Sequence, residues 1–131
     1  MRVSAGEAFT PFQRDDIAKG VRNAEKLSGR TFSVHVGPSE GESRQFAERL
    51  HAELADPANS ILIHVDPQLR SLEIVTGSAV QSQLDSRSAA LAAITMQSAF
   101  AVGDLTRGLL AGMQQLAQLA RPPETLHTDT P

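Results

Sequence analysis

The sequence has no cysteine, no tryptophan and no tyrosine, and only five phenylalanines. Without cysteine there is no disulfide, no thiol nucleophile and no thiolate metal site. With aromatics at 4%, the core has to be built from Leu, Ile, Val and Ala, which the 40% hydrophobic content supplies. No run approaches the roughly 18 consecutive apolar residues of a membrane helix, and the opening MRVSAGEAFTPFQ lacks the apolar stretch of a signal peptide. Positive charge is not in excess: 12 Lys and Arg stand against 15 Asp and Glu, a net charge of -3. That balance argues against a nucleic-acid backbone as the partner. These features predict a soluble, cytoplasmic chain, or the soluble part of a longer membrane-associated protein. Its 131 residues suit one domain.

Local signals divide the chain into elements. Residues 1–9 read as a flexible arm. Thr10, Pro11 and Gln13 then form a helix start with a capping box. Phe12, Ile17, Val21, Ala24 and Leu27 keep helical spacing up to Gly29, a left-handed cap, which predicts a helix over 11–28. TFSVHV alternates Phe32, Val34 and Val36 with Thr31, Ser33 and His35, the pattern of a half-buried strand. ESRQFAERLHAEL (42–54) reads as an amphipathic helix with Phe46, Leu50 and Leu54 inward. SILIHV and SLEIV are strand-length apolar runs separated only by DPQLR. That separation is too short for a parallel crossover and predicts an antiparallel hairpin, whereas the first and second strands, joined through a helix, form a β-α-β unit. Residues 78–84 read as a helical turn, with further helices over 86–100 and 105–120 separated by Gly103 and Asp104. The predicted fold is an α/β/α sandwich: a small mixed sheet of three or four strands flanked by helices, the last two C-terminal. The domain spans 10–120, and 121–131 read as a disordered, proline-containing tail.

No G-x-S-x-G, P-loop, G-x-G-x-x-G, C-x-x-C or H-E-x-x-H is present. The charged candidates cluster around HVDPQLRSLEIVTG. Asp66 and Arg70 bracket the hairpin, where Asp-Pro is ordinary turn chemistry and an Asp–Arg pair at a surface adds little. Alternatively, Asp66 offers oxygen to Ca²⁺ or Mg²⁺, provided the fold brings Asn59, Asp85 or Asp104 close to it. Asp85 and Asp104 also stand where helix N-caps belong. His35 and His64 fall on matching faces of the first two strands. Zinc there needs a third ligand, which Glu73 supplies only if its face agrees. Gly108 and Gly112, with Leu109, Met113, Leu116 and Leu119 nearby, give the last helix a small-residue face for tight packing or self-association.

Several stretches resemble TPM domains, named for a thylakoid lumen protein, a photosystem protein and a worm receptor modulator. TPFQRDDIAKGVRNAEKLSGRTFSVHVG is similar to their opening, SRQFAERLHAEL to their second helix, and NSILIHVDPQLRSLEIVTG to their hairpin. FAVGDLTRGLLAGMQQL is similar to their F-x-x-G-D-x-x-x-G-x-x-x-G ending. The order of FSV, AERLHA, EIVTG and GDL more closely resembles a small actinobacterial family of uncharacterised proteins with this fold. The resemblance covers about residues 10–120. It implies an α/β/α sandwich and a range of roles: acid phosphatase activity, divalent-cation binding, and assembly or repair at membranes. Many such domains carry a paired Asn/Asp before the second strand, where this chain has only Asn59 and Ser60. The leading expectation is therefore a non-catalytic module for binding a protein or ligand, its partner an unknown protein or a second copy engaged through the C-terminal helices. The alternative is a weak divalent-cation-dependent acid phosphatase. It would use a cleft of Asn59, Asp66, Asp85 and Asp104 at the loop end of the sheet, with Asp66 and Arg70 as catalytic candidates.

Overall fold

The computed structural model describes residues 9–122. Thr10 starts α1 (Pro11–Ser28) by accepting a hydrogen bond from the Gln13 amide at 3.1 Å, and Gln13 Oε1 accepts one from the Thr10 amide at 2.9 Å. Two of the N–H groups that a helix start leaves unpaired are thereby satisfied. Gly29, at φ 72°, closes the other end and donates to Glu25 O. There follow β1 (Thr31–Val36), α2 (Ser43–Ala52), a 3-10 turn at Pro57–Asn59, β2 (Ser60–Asp66), β3 (Ser71–Thr76), α3 (Ser86–Ala101) and α4 (Leu105–Ala120). Within 42–54, Glu42 caps α2 rather than joining it, accepting from the Arg44 and Gln45 amides.

Among the described residues the sheet has three strands in the order β1-β2-β3. The β1–β2 pair is parallel and the β2–β3 pair antiparallel, as the connection lengths require. One face carries Phe32, Val34 and Val36, Ile61, Ile63 and Val65, and Leu72 and Ile74. These pack under α1, α3 and α4, which contribute Ile17, Val21, Met96, Leu109, Met113 and Leu116. The opposite face is covered by α2 and the residue beyond its cap, with Ala47, Leu50 and Leu54 on Leu62 and Val75. The result is an α/β/α sandwich in which every residue of β2 is buried.

Two residues near the start depart from the pattern. Phe9, placed by the sequence at the end of a flexible arm, is buried in the main core. Phe12 follows the helical spacing but is 85% exposed. Residues 1–8 and 123–131, most of the expected arm and tail, lie outside the described residues. No helix among the described residues is long and apolar enough to cross a membrane.

Four glycines mark close approaches: Gly20, against Leu110, and three more. A Cβ on Gly77 would collide with the carbonyl oxygens of Pro57 and Ala58, one on Gly108 with the Ala99 side chain, and one on Gly112 with Met96. The small-residue face of α4 is thus occupied by α3 of the same chain, which is tight internal packing. Gly77→Ala meets rigid backbone and is expected to cost about 2–3 kcal/mol. Gly112→Ala meets a flexible thioether and is expected to cost less. Urea unfolding midpoints of the two variants check this order.

Candidate functional site

The structure assigns each acidic candidate a local partner. Asp66, buried at the end of β2, accepts the Gln68 and Leu69 amides through Oδ1 at 3.1 and 3.2 Å, and the Ser39 amide through Oδ2 at 3.2 Å. It holds both the hairpin turn and the loop after β1. Arg70 makes no ion pair with Asp66 among the described residues; it is an exposed turn residue at φ 52°. Asn59 Oδ1 accepts from Arg30 Nη1 at 2.6 Å. The same guanidinium donates to Ala120 O at 3.1 Å and Gln83 Oε1 at 2.5 Å, joining four separate segments. Asp85 caps α3, accepting the Ser88 amide at 2.8 Å. Asp104 occupies the N-cap position of α4 but makes no side-chain cap bond; its carboxylate lies 3.3 Å from Arg107 Nε.

The four expected cleft residues are not brought together. Asn59 precedes β2 and Asp66 is its last residue, so the length of the strand, about 20 Å, separates them. Among the described residues, no group of three or more His, Cys, Asp or Glu side chains is arranged to hold a metal ion.

The two strand histidines do meet. The β1–β2 register sets His35 opposite His64, with their Nδ1 atoms 3.0 Å apart. Phe46 of α2 stands edge-on to both rings, at 5.8 and 5.1 Å between centroids. From His64 Nε2 a chain of short contacts continues through Ser39 Oγ (2.8 Å), Ser43 Oγ (3.2 Å) and Ser71 Oγ (3.0 Å). A hydrogen bond between two Nδ1 atoms holds a single proton, so one ring donates and the other accepts. If His64 accepts there, its Nε2 donates to Ser39; if it donates there, its Nε2 accepts. Glu73 does lie opposite His64 across the β2–β3 pair, but its carboxylate is 3.5 Å from Arg44 Nη1. Burial holds the His64 imidazole below its ordinary value, against smaller upward pulls from the His35 hydrogen bond and the Asp66 charge.

The open side of β3 forms the second feature. A groove of about 520 Å³ runs between β3 and α3. Leu72, Ile74 and Thr76 form one wall, with Ala89, Ala90 and Ala93 facing them. Arg44, reaching over from α2, donates to Ile74 O at 2.7 Å and pairs with Glu48 at 3.2 Å. Beside the groove, the exposed side of α3 carries Leu91 and Ile94, 54% and 60% exposed. Sequence reasoning missed Arg30, Arg44 and the three serines. Their partners lie 25 to 90 residues away for the decisive contacts, and no local pattern marks them.

Two outcomes follow for this region. Because the His64 pKa is lowered in the fold, the unfolded chain takes up a proton first as pH falls below about 6.5. Stability contributed by neutral His64 is full above that pH and is lost on acidification toward the folded value, by at most about 1.4 kcal/mol per pH unit. Glu42 and Asp85, whose pKa values are lowered by the amides they cap, act only below their ordinary carboxylate range. Thermal melts between pH 7.5 and 5.5 should show declining stability, and His64→Asn should flatten the slope. Separately, Asp66→Ala removes the acceptor of three amides and is expected to cost about 2–3 kcal/mol in urea unfolding, with Asp66→Asn costing less.

Over residues 3–117 the chain matches the family described as a domain of unknown function, DUF5130. It is 27% identical over 86 residues to the uncharacterised proteins Rv2468c and MT2543 of two Mycobacterium tuberculosis strains. The aligned region takes in 66% of this chain and 52% of each relative, so the chain spans about half the length of the curated relatives it matches. Among solved structures, the BA42 protein of the psychrophilic bacterium Bizionia argentinensis superposes with a TM-score of 0.77 at 19% identity, covering 98% of this chain and 94% of that one. The N-terminal domain of a P. gingivalis protein gives 0.77 at 18%, covering 90% and 79%. The N-terminal domain of the cg2496 protein of Corynebacterium glutamicum gives 0.72 at 12%, covering 95% and 83%. At these identities the structures share the fold alone, and none of the names identifies a TPM domain. With a match running through nearly all of its described elements, the chain belongs to the DUF5130 family.

Proposed function

We propose that this chain is a TPM-like, non-catalytic interaction module that binds a protein partner in the groove between β3 and α3. The observation that carries this reading is the groove itself: an open cavity of a size that takes ligands, beside a strand edge with no neighbouring strand among the described residues and an apolar helix face. The residue types suited to chemistry support it from the other side. Asp66, Asn59 and Asp85 are engaged by backbone amides or by Arg30, and Asp104 is paired with Arg107. A cation-dependent phosphatase needs a metal-activated nucleophile next to a group that neutralises phosphate.

A photocrosslinker at Ala90, in the groove, should capture a protein from cell extract, and one at Lys19, on the exposed side of α1, should not. The purified chain should not hydrolyse p-nitrophenyl phosphate in Ca²⁺ or Mg²⁺, and neither ion should raise its melting temperature. An ion at 100 times its dissociation constant would add about 2.7 kcal/mol. Turnover that disappears in Arg70→Ala, an exposed substitution, would overturn the reading.

A further inference from the structure

Resting on the groove reading, we infer that the partner is an extended polypeptide segment that adds, as a fourth strand, to the edge of β3 that no strand among the described residues occupies. The register fixes which backbone groups are open. The Gly77 amide donates to Ser60 O at 2.9 Å, so this is a hydrogen-bonded position of the antiparallel pair. Such positions alternate, so Ser71, Glu73 and Val75 bond inward to β2, and Leu72, Ile74 and Thr76 turn their N–H and C=O groups outward. The outward carbonyls confirm the alternation: Arg70 O accepts from Gln97 Nε2 at 3.4 Å, Ile74 O from Arg44 Nη1 at 2.7 Å, and Thr76 O from Gln81 Nε2 at 3.0 Å.

Three side chains from three different segments therefore stand where the N–H groups of a neighbouring strand would be. All three donors come from exposed residues or, for Arg44, a half-exposed side chain, so water replaces them at little cost. They serve carbonyls only; the outward amides of Leu72, Ile74 and Thr76 have no acceptor among the described residues. An added strand supplies donors and acceptors together at the two-residue spacing the edge presents. Room for it exists because α3 faces the edge with Ala89, Ala90 and Ala93 rather than larger residues. On that side, alternate residues of the incoming segment meet Leu72 and the alanines, which selects apolar side chains. The charged lining sets Arg44 against Glu73 and Asp85, an excess of one negative charge, which selects a Lys or Arg among the intervening residues.

The test uses the full chain and a display library of random dodecapeptides, followed by synthesis of the selected sequences. Selected peptides should alternate apolar residues and carry a basic one. At saturation they should slow amide exchange at Leu72, Ile74 and Thr76 at least tenfold. N-methylation of the peptide at every second backbone nitrogen should abolish binding in one phase of the alternation and leave it intact in the other. Ala90→Trp, which fills the groove from an exposed helix position, should weaken binding at least tenfold with an unchanged melting temperature. A flat N-methyl scan, protection confined to other amides, or binders indifferent to Ala90→Trp would overturn strand addition while leaving an interaction role intact; phosphatase turnover would strike only the latter. If the three amides are already slow in the free chain, two results overturn the proposed occupant. Faster exchange on dilution would make it a second copy, and faster exchange after removal of residues 123–131 would make it this chain's own C-terminal segment.

Discussion

Everything in this fold is arranged around the complete burial of β2. All seven of its residues are buried, its two edges are bonded to β1 and β3, and helices cover both faces. A strand so placed cannot leave a polar side chain to water, and burying one without a partner costs on the order of 1–3 kcal/mol. Its three polar side chains are all provided for: Ser60 Oγ donates to Asp56 O, His64 lies between His35 and Ser39, and Asp66 accepts three amides. No buried side-chain nitrogen or oxygen among the described residues lacks a partner. The histidine and the aspartate that look like chemistry in the linear sequence are thus the polar groups a buried strand must satisfy, and the loop and hydroxyls that satisfy them become fixed in turn.

Most of the architecture was legible because its signals are local. The capping box at Thr10, the left-handed Gly29, the alternation in TFSVHV and the short DPQLR connection each act within a few residues, and each stands in the structure where the pattern puts it. Facing of His35 and His64 was also readable, since period-two alternation assigns faces and the β-α-β connection makes the strands neighbours. The candidate site was far less legible. Whether Asn59 and Asp66 share a cleft depends on which end of β2 each occupies, and type and spacing in sequence do not encode a ligand distance. Asn59 answers to Arg30, and Arg44 to the backbone of Ile74, across 29 and 30 residues. Asp104 had the residue type and position of a cap, yet its carboxylate turns to Arg107. Phe12 had the period of a core residue yet is exposed, because periodicity does not say which turns of a helix are covered.

The two sheet edges are treated differently. At β1 the outward Phe32 amide is taken by the Glu25 carboxylate at 3.0 Å, a charged cap from the helix beside it. At β3 the caps are two amides and a guanidinium, each on a carbonyl. Natural sheets guard their edges against indiscriminate pairing, and replaceable side-chain caps are a guard compatible with selective admission.

The mixed order of the sheet also dictates a sequence of events in folding. The β2–β3 hairpin closes over the four residues 67–70, whereas apposing β1 and β2 draws together residues 29 apart, such as His35 and His64. Short loops close faster and at lower entropic cost. Loop closure therefore favours the hairpin first, and until β1 arrives, SILIHV has one bare edge and an uncovered apolar face of Ile61, Ile63 and Val65. The ten-residue α2, tied to the sheet through Phe46, Ala47 and Leu50, is the segment whose formation shortens the crossing between β1 and β2 and limits how long that surface stays open.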